Sequence, residues 1–170
     1  MLFNLALAVF PLLVLAAAVS DALTYRIPNL LTAAIVVAFP LAALLFGMPM
    51  SLVMWHLLAG AGVLVVGFGL FAAGFIGGGD AKLMAAAALW IGTAALAPFI
   101  VYTALAGGAL AVAYFVWNVV QTHIDITSRA SEASFVKRLA ACKADLPYGV
   151  AIGVGAFAVY PHSWWFASLH

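Results

Sequence analysis

The chain has 170 residues, 68% of them hydrophobic and only 6% charged, and its mean hydropathy is +1.24. Soluble domains are roughly 45–50% apolar and about 25% charged, and a domain this short keeps too much surface to hide such an excess from water, whereas lipid can solvate it. A net charge of +1 without a basic run or acidic tail gives no reason to expect nucleic acid as a partner, and the single cysteine, Cys142, allows neither an internal disulfide nor a CxxC zinc pair.

Six apolar segments follow in chain order, near the roughly 17–25 residues of a membrane-spanning helix. The first, Leu2–Val19, ends near Ala16-Ala17-Ala18, which faintly resembles a signal peptidase site. No Lys or Arg precedes it, so it reads as a retained helix. Asp21 follows, and Arg26-Ile27-Pro28-Asn29 leads into the second segment, Leu30–Phe46. Pro28 suits a first helical turn, and Arg26 suits phospholipid head groups. The third, Leu52–Phe75, carries His56, which reads as a hydrogen-bonded helix contact in preference to a proton path.

Gly77-Gly78-Gly79-Asp80 precedes the fourth segment, Lys82–Leu96, where Gly92 and Thr93 signal an early end. Its boundary with the fifth, Pro98–Val120, falls between Ile91 and Pro98. A polar loop, 121–146, holds His123, Asp125, Arg129 and Glu132, which read as solvated in preference to metal-binding. Within it Ser131–Cys142 fits a short interfacial helix or a plain connector equally. Asp145 fits an N-cap for the last segment, Pro147–Ser168. Trp164, Trp165 and His162 near its outer end read as an aromatic interface anchor. Small residues at i,i+4 in Gly149/Gly153, Gly74/Gly78 and Gly69/Ala73 would let helices approach closely.

With six spans, all six basic residues (Arg26, Lys82, Arg129, Lys137, Arg138 and Lys143) fall on one side of the membrane. Five spans would scatter them. Positive loops mark the cytoplasm. The predicted fold is therefore an all-α polytopic membrane helix bundle of about six transmembrane helices, with both termini outside and 121–146 as a cytoplasmic loop.

Asp21 and Asp80 sit at the edge of hydrocarbon, where a carboxylate is costly. Two full spans separate them, so the chain returns to the side it left, and the acids can meet if helices one and four are neighbours. Like-charge repulsion and desolvation make such a pair share a proton. The ionised acid can then take a proton from attacking water while the protonated one donates to a peptide carbonyl. The sequence offers no convincing Ser/His/Asp set and no HExxH. Gly77, Gly78 and Gly79 would bring bare backbone close to a substrate strand. Lys82 either holds a carboxylate ionised or meets an acidic residue of the substrate, or else anchors the cytoplasmic side.

Three blocks resemble the type IV prepilin peptidases, the GxGD membrane aspartyl proteases. They are Asp21 with Arg26-Ile27-Pro28-Asn29, then Gly77-Gly78-Gly79-Asp80-Ala81-Lys82-Leu83, then Leu146-Pro147-Tyr148-Gly149. The resemblance implies one transmembrane peptidase domain over 1–170, with Asp21 and Asp80 catalytic. Gly77, Gly78, Gly79, Lys82, Arg26, Pro28, Asn29 and Pro147 would support the site or bind substrate. It implies cleavage after a glycine of prepilin-like or pseudopilin precursors at the cytoplasmic face of a bacterial inner membrane, with lipids as surroundings and no cofactor or metal. The short length looks like the peptidase-only branch serving Flp/Tad-type pili. The competing reading is a small proton-coupled carrier or pilus-assembly subunit, whose acids would sit near mid-membrane beside broken helices.

Overall fold

The computed structural model describes residues 2–126 and 146–167. Over these residues the chain is helical and without strands. Helices α1 (Leu2–Thr24), α2 (Asn29–Leu45), α3 (Met50–Ala72), α4 (Gly78–Ile91) and α5 (Leu96–Ile126) are followed by α6 (Tyr148–Val159) and the one-turn α7 (Trp164–Ala167). Single 3-10 turns at Thr93–Ala95 and Tyr160–His162 link α4 to α5 and α6 to α7. The architecture is the expected all-α membrane helix bundle. Among the described residues three stretches are long and apolar enough to cross a membrane, Leu7–Thr24, Met50–Ala72 and Thr93–Val120, and Asn29–Leu45 is a shorter apolar helix.

Several boundaries differ from the expected ones. α4 stops at Ile91 because Gly92 takes a φ of +74°, a left-handed conformation open to glycine. The last segment is not one helix over Pro147–Ser168. It breaks after Val159 into the turn containing Pro161, and the backbone becomes extended at Ser163 before α7. α5 continues to Ile126, beyond the Val120 at which the polar loop was drawn. The possible helix Ser131–Cys142, and Arg129, Glu132 and Asp145, lie outside the described residues.

α4 is the hub. It packs against α3, α2 and α6, while α1 packs on α6 and α2, and α5 on α6. Apart from exposed Lys82 and half-buried Met84, every residue from Ala81 to Ile91 is buried. Glycines on α3 make the closest approach possible. A Cβ at Gly60 would lie 3.0 Å from Leu89 Cβ, and one at Gly67 3.2 Å from Ala81 Cβ. Gly69, by contrast, faces open space, so Gly69/Ala73 is not a packing stripe. Gly149/Gly153 is one: Gly153 rests on Ala18 of α1.

The buried helix end creates a polar problem that side chains solve. The last carbonyls of a helix have no partner within it, and apolar surroundings supply no water. His56 Nδ1 donates to Leu89 O at 2.8 Å, and Trp165 Nε1 donates to Trp90 O at 2.7 Å. Pro11 lacks the N–H that would serve the carbonyl four residues back, and Tyr160 Oη donates to that carbonyl, Leu7 O, at 3.1 Å. His56 is thus the helix contact expected of it. Trp165 is not an interface anchor: it is fully buried, with ring centroids 4.9 Å from Trp90 and 5.9 Å from Phe39.

α5 and α6 meet at Gly155. A Cβ there would lie 2.9 Å from Thr103 N and 3.1 Å from Phe99 O. These are backbone atoms, so the helices must separate to accept it. Gly155→Ala is expected to destabilise the fold by about 1–3 kcal/mol, the usual range for overpacking. A lowered thermal unfolding midpoint in detergent would register this, and an unchanged midpoint would contradict the seam.

Candidate active site

The site is built from helix ends. α1 closes with Tyr25 N donating to Asp21 O at 2.8 Å, and Tyr25 itself takes a φ of +53° to reverse the chain. Ser20 Oγ donates to Arg26 O at 3.0 Å. Thr24 Oγ1 lies 2.7 Å from Ser20 O and 3.2 Å from Arg26 O, sharing its hydrogen between them. Pro28 is then the N-cap of α2. The Arg26-Ile27-Pro28-Asn29 block is thus a hydroxyl-braced reversal that ends in a helix start.

Asp80 is the third residue of α4, whose N-cap is Gly77. Its carboxylate reaches back to the Gly77 amide, the arrangement by which a third-position acid satisfies an orphan N–H. The positive end of the helix dipole favours it there. Two glycines of the run sit where a side chain is crowded: a Cβ at Gly77 would lie 2.7 Å from Asp80 Oδ2 and one at Gly78 3.2 Å from the Phe71 ring, whereas one at Gly79 would make ordinary contact with Ile27 at 3.4 Å.

Asp21 and Asp80 line one open cavity of about 890 Å³. Arg26, Asn29, Gly77, Gly78 and Gly79 line it too, so the structure gathers most of the sequence-selected residues. Lys82, Pro28 and Pro147 are not in the lining. Lys82 Nζ donates to Asn29 Oδ1 at 3.2 Å, which ties the two motif blocks together across the cavity rim. Pro147 is the N-cap of α6. Helices α1 and α4, expected to be neighbours, touch through Phe10 and Trp90, 5.1 Å apart, away from the acids, while α2 and α6 pack against both.

The two acids differ in setting. Asp21 is 5% exposed, and its Oδ2 accepts a hydrogen bond from Gly149 N at 2.7 Å. Asp80, half-buried, lies ahead of the apolar part of α4. Burial, and secondarily the charge of Asp21, push its carboxyl up to about 6, against the opposing pull of the Gly77 amide. A carboxyl near 6 keeps its proton in mildly acidic solution, and about a tenth of it still does at pH 7, so it can act as a donor.

Sequence reasoning did not select the rest of the lining. Tyr25, Ile27, Phe75, Ile76, Leu146 and Tyr148 give the cavity an apolar and aromatic wall. Ile27, Leu146 and Tyr148 stand inside motif blocks, which is the available signal. Phe75 reads as the end of the third apolar segment and Ile76 as the start of the loop after it, and the turn at Gly74, with φ of +78°, brings both to the rim. Gly149 was selected as a packing residue and not as a partner of an acid. Among the described residues no three His, Cys, Asp or Glu side chains are grouped as a metal site requires.

No curated protein and no solved structure matches the chain. Residues 8–112, more than half of its length, match the type IV leader peptidase family. That segment contains Asp21, the reversal before α2 and the glycine run with Asp80, the parts that form most of the cavity just described. The chain belongs to the type IV leader peptidase family.

Proposed function

We propose that this chain is a prepilin leader peptidase that hydrolyses the bond after a glycine, just before the hydrophobic helix of a pilin-like precursor, using Asp21, Asp80 and water. The observation that carries the reading is that the two acids line one cavity although they come from different helices. Asp21 takes a proton from water as the water oxygen bonds to the peptide carbonyl carbon. Asp80 gives its proton to the carbonyl oxygen. Collapse then breaks the C–N bond: the proton held by Asp21 passes to the leaving amine while Asp80 takes back a hydroxyl proton of the tetrahedral intermediate, which leaves a carboxylic acid product and restores the one-proton pair.

Two further features support the reading. The cavity belongs to the membrane end that carries Arg26 and Lys82, the side that basic loops assign to the cytoplasm. Its bare Gly77–Gly79 backbone and apolar wall suit an extended segment entering beside a hydrophobic helix. Gly77, Gly78 and Gly79 would flank the substrate strand, with Arg26 and Asn29 at the rim. Pro28, Pro147 and Lys82 hold the surrounding helix starts. One peptidase domain over 1–170 in a bacterial inner membrane, acting on prepilin-like or pseudopilin precursors, completes the proposal.

Incubating the purified chain in detergent with a synthetic precursor peptide bearing a Gly–hydrophobic junction tests it. Mass spectrometry is expected to find two fragments that divide after the glycine. Intact peptide, or division elsewhere, would reject the reading. The pH profile gives a second check. The dyad works with one proton, and the step that removes it follows Asp80, near 6 in the free protein. Rising pH therefore strips the donor, and kcat/KM is expected to fall about tenfold per unit well above that value. A profile flat from pH 5 to 9 would contradict a shared proton.

A further inference from the structure

Gly149 closes the third motif block, lies outside the segment that matches the family, and is brought against Asp21 by the fold. It is the second residue of α6, where an amide has no partner within its own helix. That amide is spent on Asp21 Oδ2. The spacing is tight enough that no side chain fits: a Cβ at Gly149 would stand 2.8 Å from Asp21 Oδ2, 3.0 Å from its Cβ and 3.1 Å from its Cγ. One turn on, Gly153 sits against Ala18, 3.2 Å from its Cβ, so the start of α6 is seated along the α1 face that bears the acid. Asp80 is treated in parallel, its carboxylate bonded to the Gly77 amide with a Cβ there equally excluded.

We infer that Gly149 is a positioning residue for the hydrolysis: by bonding Oδ2 of Asp21 it fixes the carboxylate plane and leaves Oδ1 as the oxygen that takes the proton of water. The inference rests on the dyad reading above. It goes beyond it by assigning the two oxygens different tasks and by making the seating of α6 on α1 a condition for activity. A hydrogen bond from an amide to a carboxylate oxygen is short and directional, so it fixes which oxygen is left to face water. The titratable or charged groups that share the cavity with Asp21 are Asp80 of α4, Tyr148 of α6, and Tyr25 and Arg26 of the reversal. None of them replaces an amide fixed in a helix.

Three variants of the full chain, assayed in detergent with the same Gly–hydrophobic peptide, test it. Replacing the 149 amide by an ester, with glycolic acid in place of glycine, removes the N–H and adds no atom. Gly149→Ala adds the Cβ against the carboxylate. Gly153→Ala disturbs the same seam one turn away without touching the acid. The ester and Gly149→Ala are expected to lose at least tenfold in kcat with KM little changed, and the acid limb of kcat/KM is expected to move to higher pH. Gly153→Ala is expected to lower the unfolding midpoint while keeping the wild-type pH profile. If the ester keeps wild-type kcat and profile while Asp21→Asn is inactive, the positioning role is wrong and the dyad stands. If Asp21→Asn is itself active, the dyad reading fails first. Should the ester not fold, equal pH profiles for Gly149→Ala and Gly153→Ala, with losses that track their midpoints, would also overturn the inference.

Discussion

Asp21→Asn and Asp80→Asn, each alone, are expected to stop precursor shortening while the protein still accumulates in the membrane. Asparagine keeps the shape and one carbonyl-type oxygen. Position 21 can therefore still accept from the Gly149 amide, and position 80 from the Gly77 amide, the contacts that hold these side chains. On the proposed mechanism, what is lost is the proton traffic. General acid–base catalysis contributes about 10²–10⁴-fold, and each acid serves both halves of the reaction, so the loss is expected at the upper end or beyond. Because the two act as a unit, the double variant is expected to be no worse than either single one. Co-expression with a precursor and comparison of precursor and product bands measures this. Thermal unfolding of each purified variant excludes collapse. Full shortening by either single variant would end the two-acid mechanism.

Trp165→Ala has the largest expected effect on stability. The side chain is fully buried and contacts Trp90, Phe39, Phe46 and Trp164. Its indole N–H is also bonded to the Trp90 carbonyl at the end of α4. Truncation leaves a void, and that carbonyl loses its indole donor in apolar surroundings. Trp→Ala in cores costs about 3–5 kcal/mol. Lipid lowers the water-exclusion share of that cost, but the packing loss and the orphaned carbonyl remain, so about 3 kcal/mol is expected. An interface anchor would behave otherwise: its truncation would shift little in detergent. Trp165→Phe, which keeps most of the volume and drops only the donor, is expected to fall between.

These two cases mark what could be read from residues alone. The meeting of Asp21 and Asp80 in one cavity was legible because a carboxylate at the edge of an apolar segment is costly, and an even number of spans between the two returns the chain to the same side. The helix count was legible from apolar length. The depth of each helix in the bundle was not. α4 carries no sequence mark of being the hub, because Ala85–Ala88 can line a seam or face lipid equally well. Trp165 has the composition and position of an anchor, and only the break at Pro161 folds it inward. Gly149 has two readings, close packing or a bare amide, and the choice depends on which residue of α1 lies opposite. Lys82 was balanced between a carboxylate partner and an anchor, and in the structure it bonds Asn29 at an exposed rim.

The short hub has a consequence for how the protein is made. Fourteen residues of α4 extend about 21 Å, less than a hydrocarbon layer of about 30 Å. A nascent chain paused after α5 would hold this helix without the indole that caps Trp90 and without the amide that seats Asp21. Both come with α6 and α7. Until those helices have been added, the end of α4 lacks its indole cap and Asp21 lacks its amide donor, so the two ends of the chain must meet before this part of the bundle is closed.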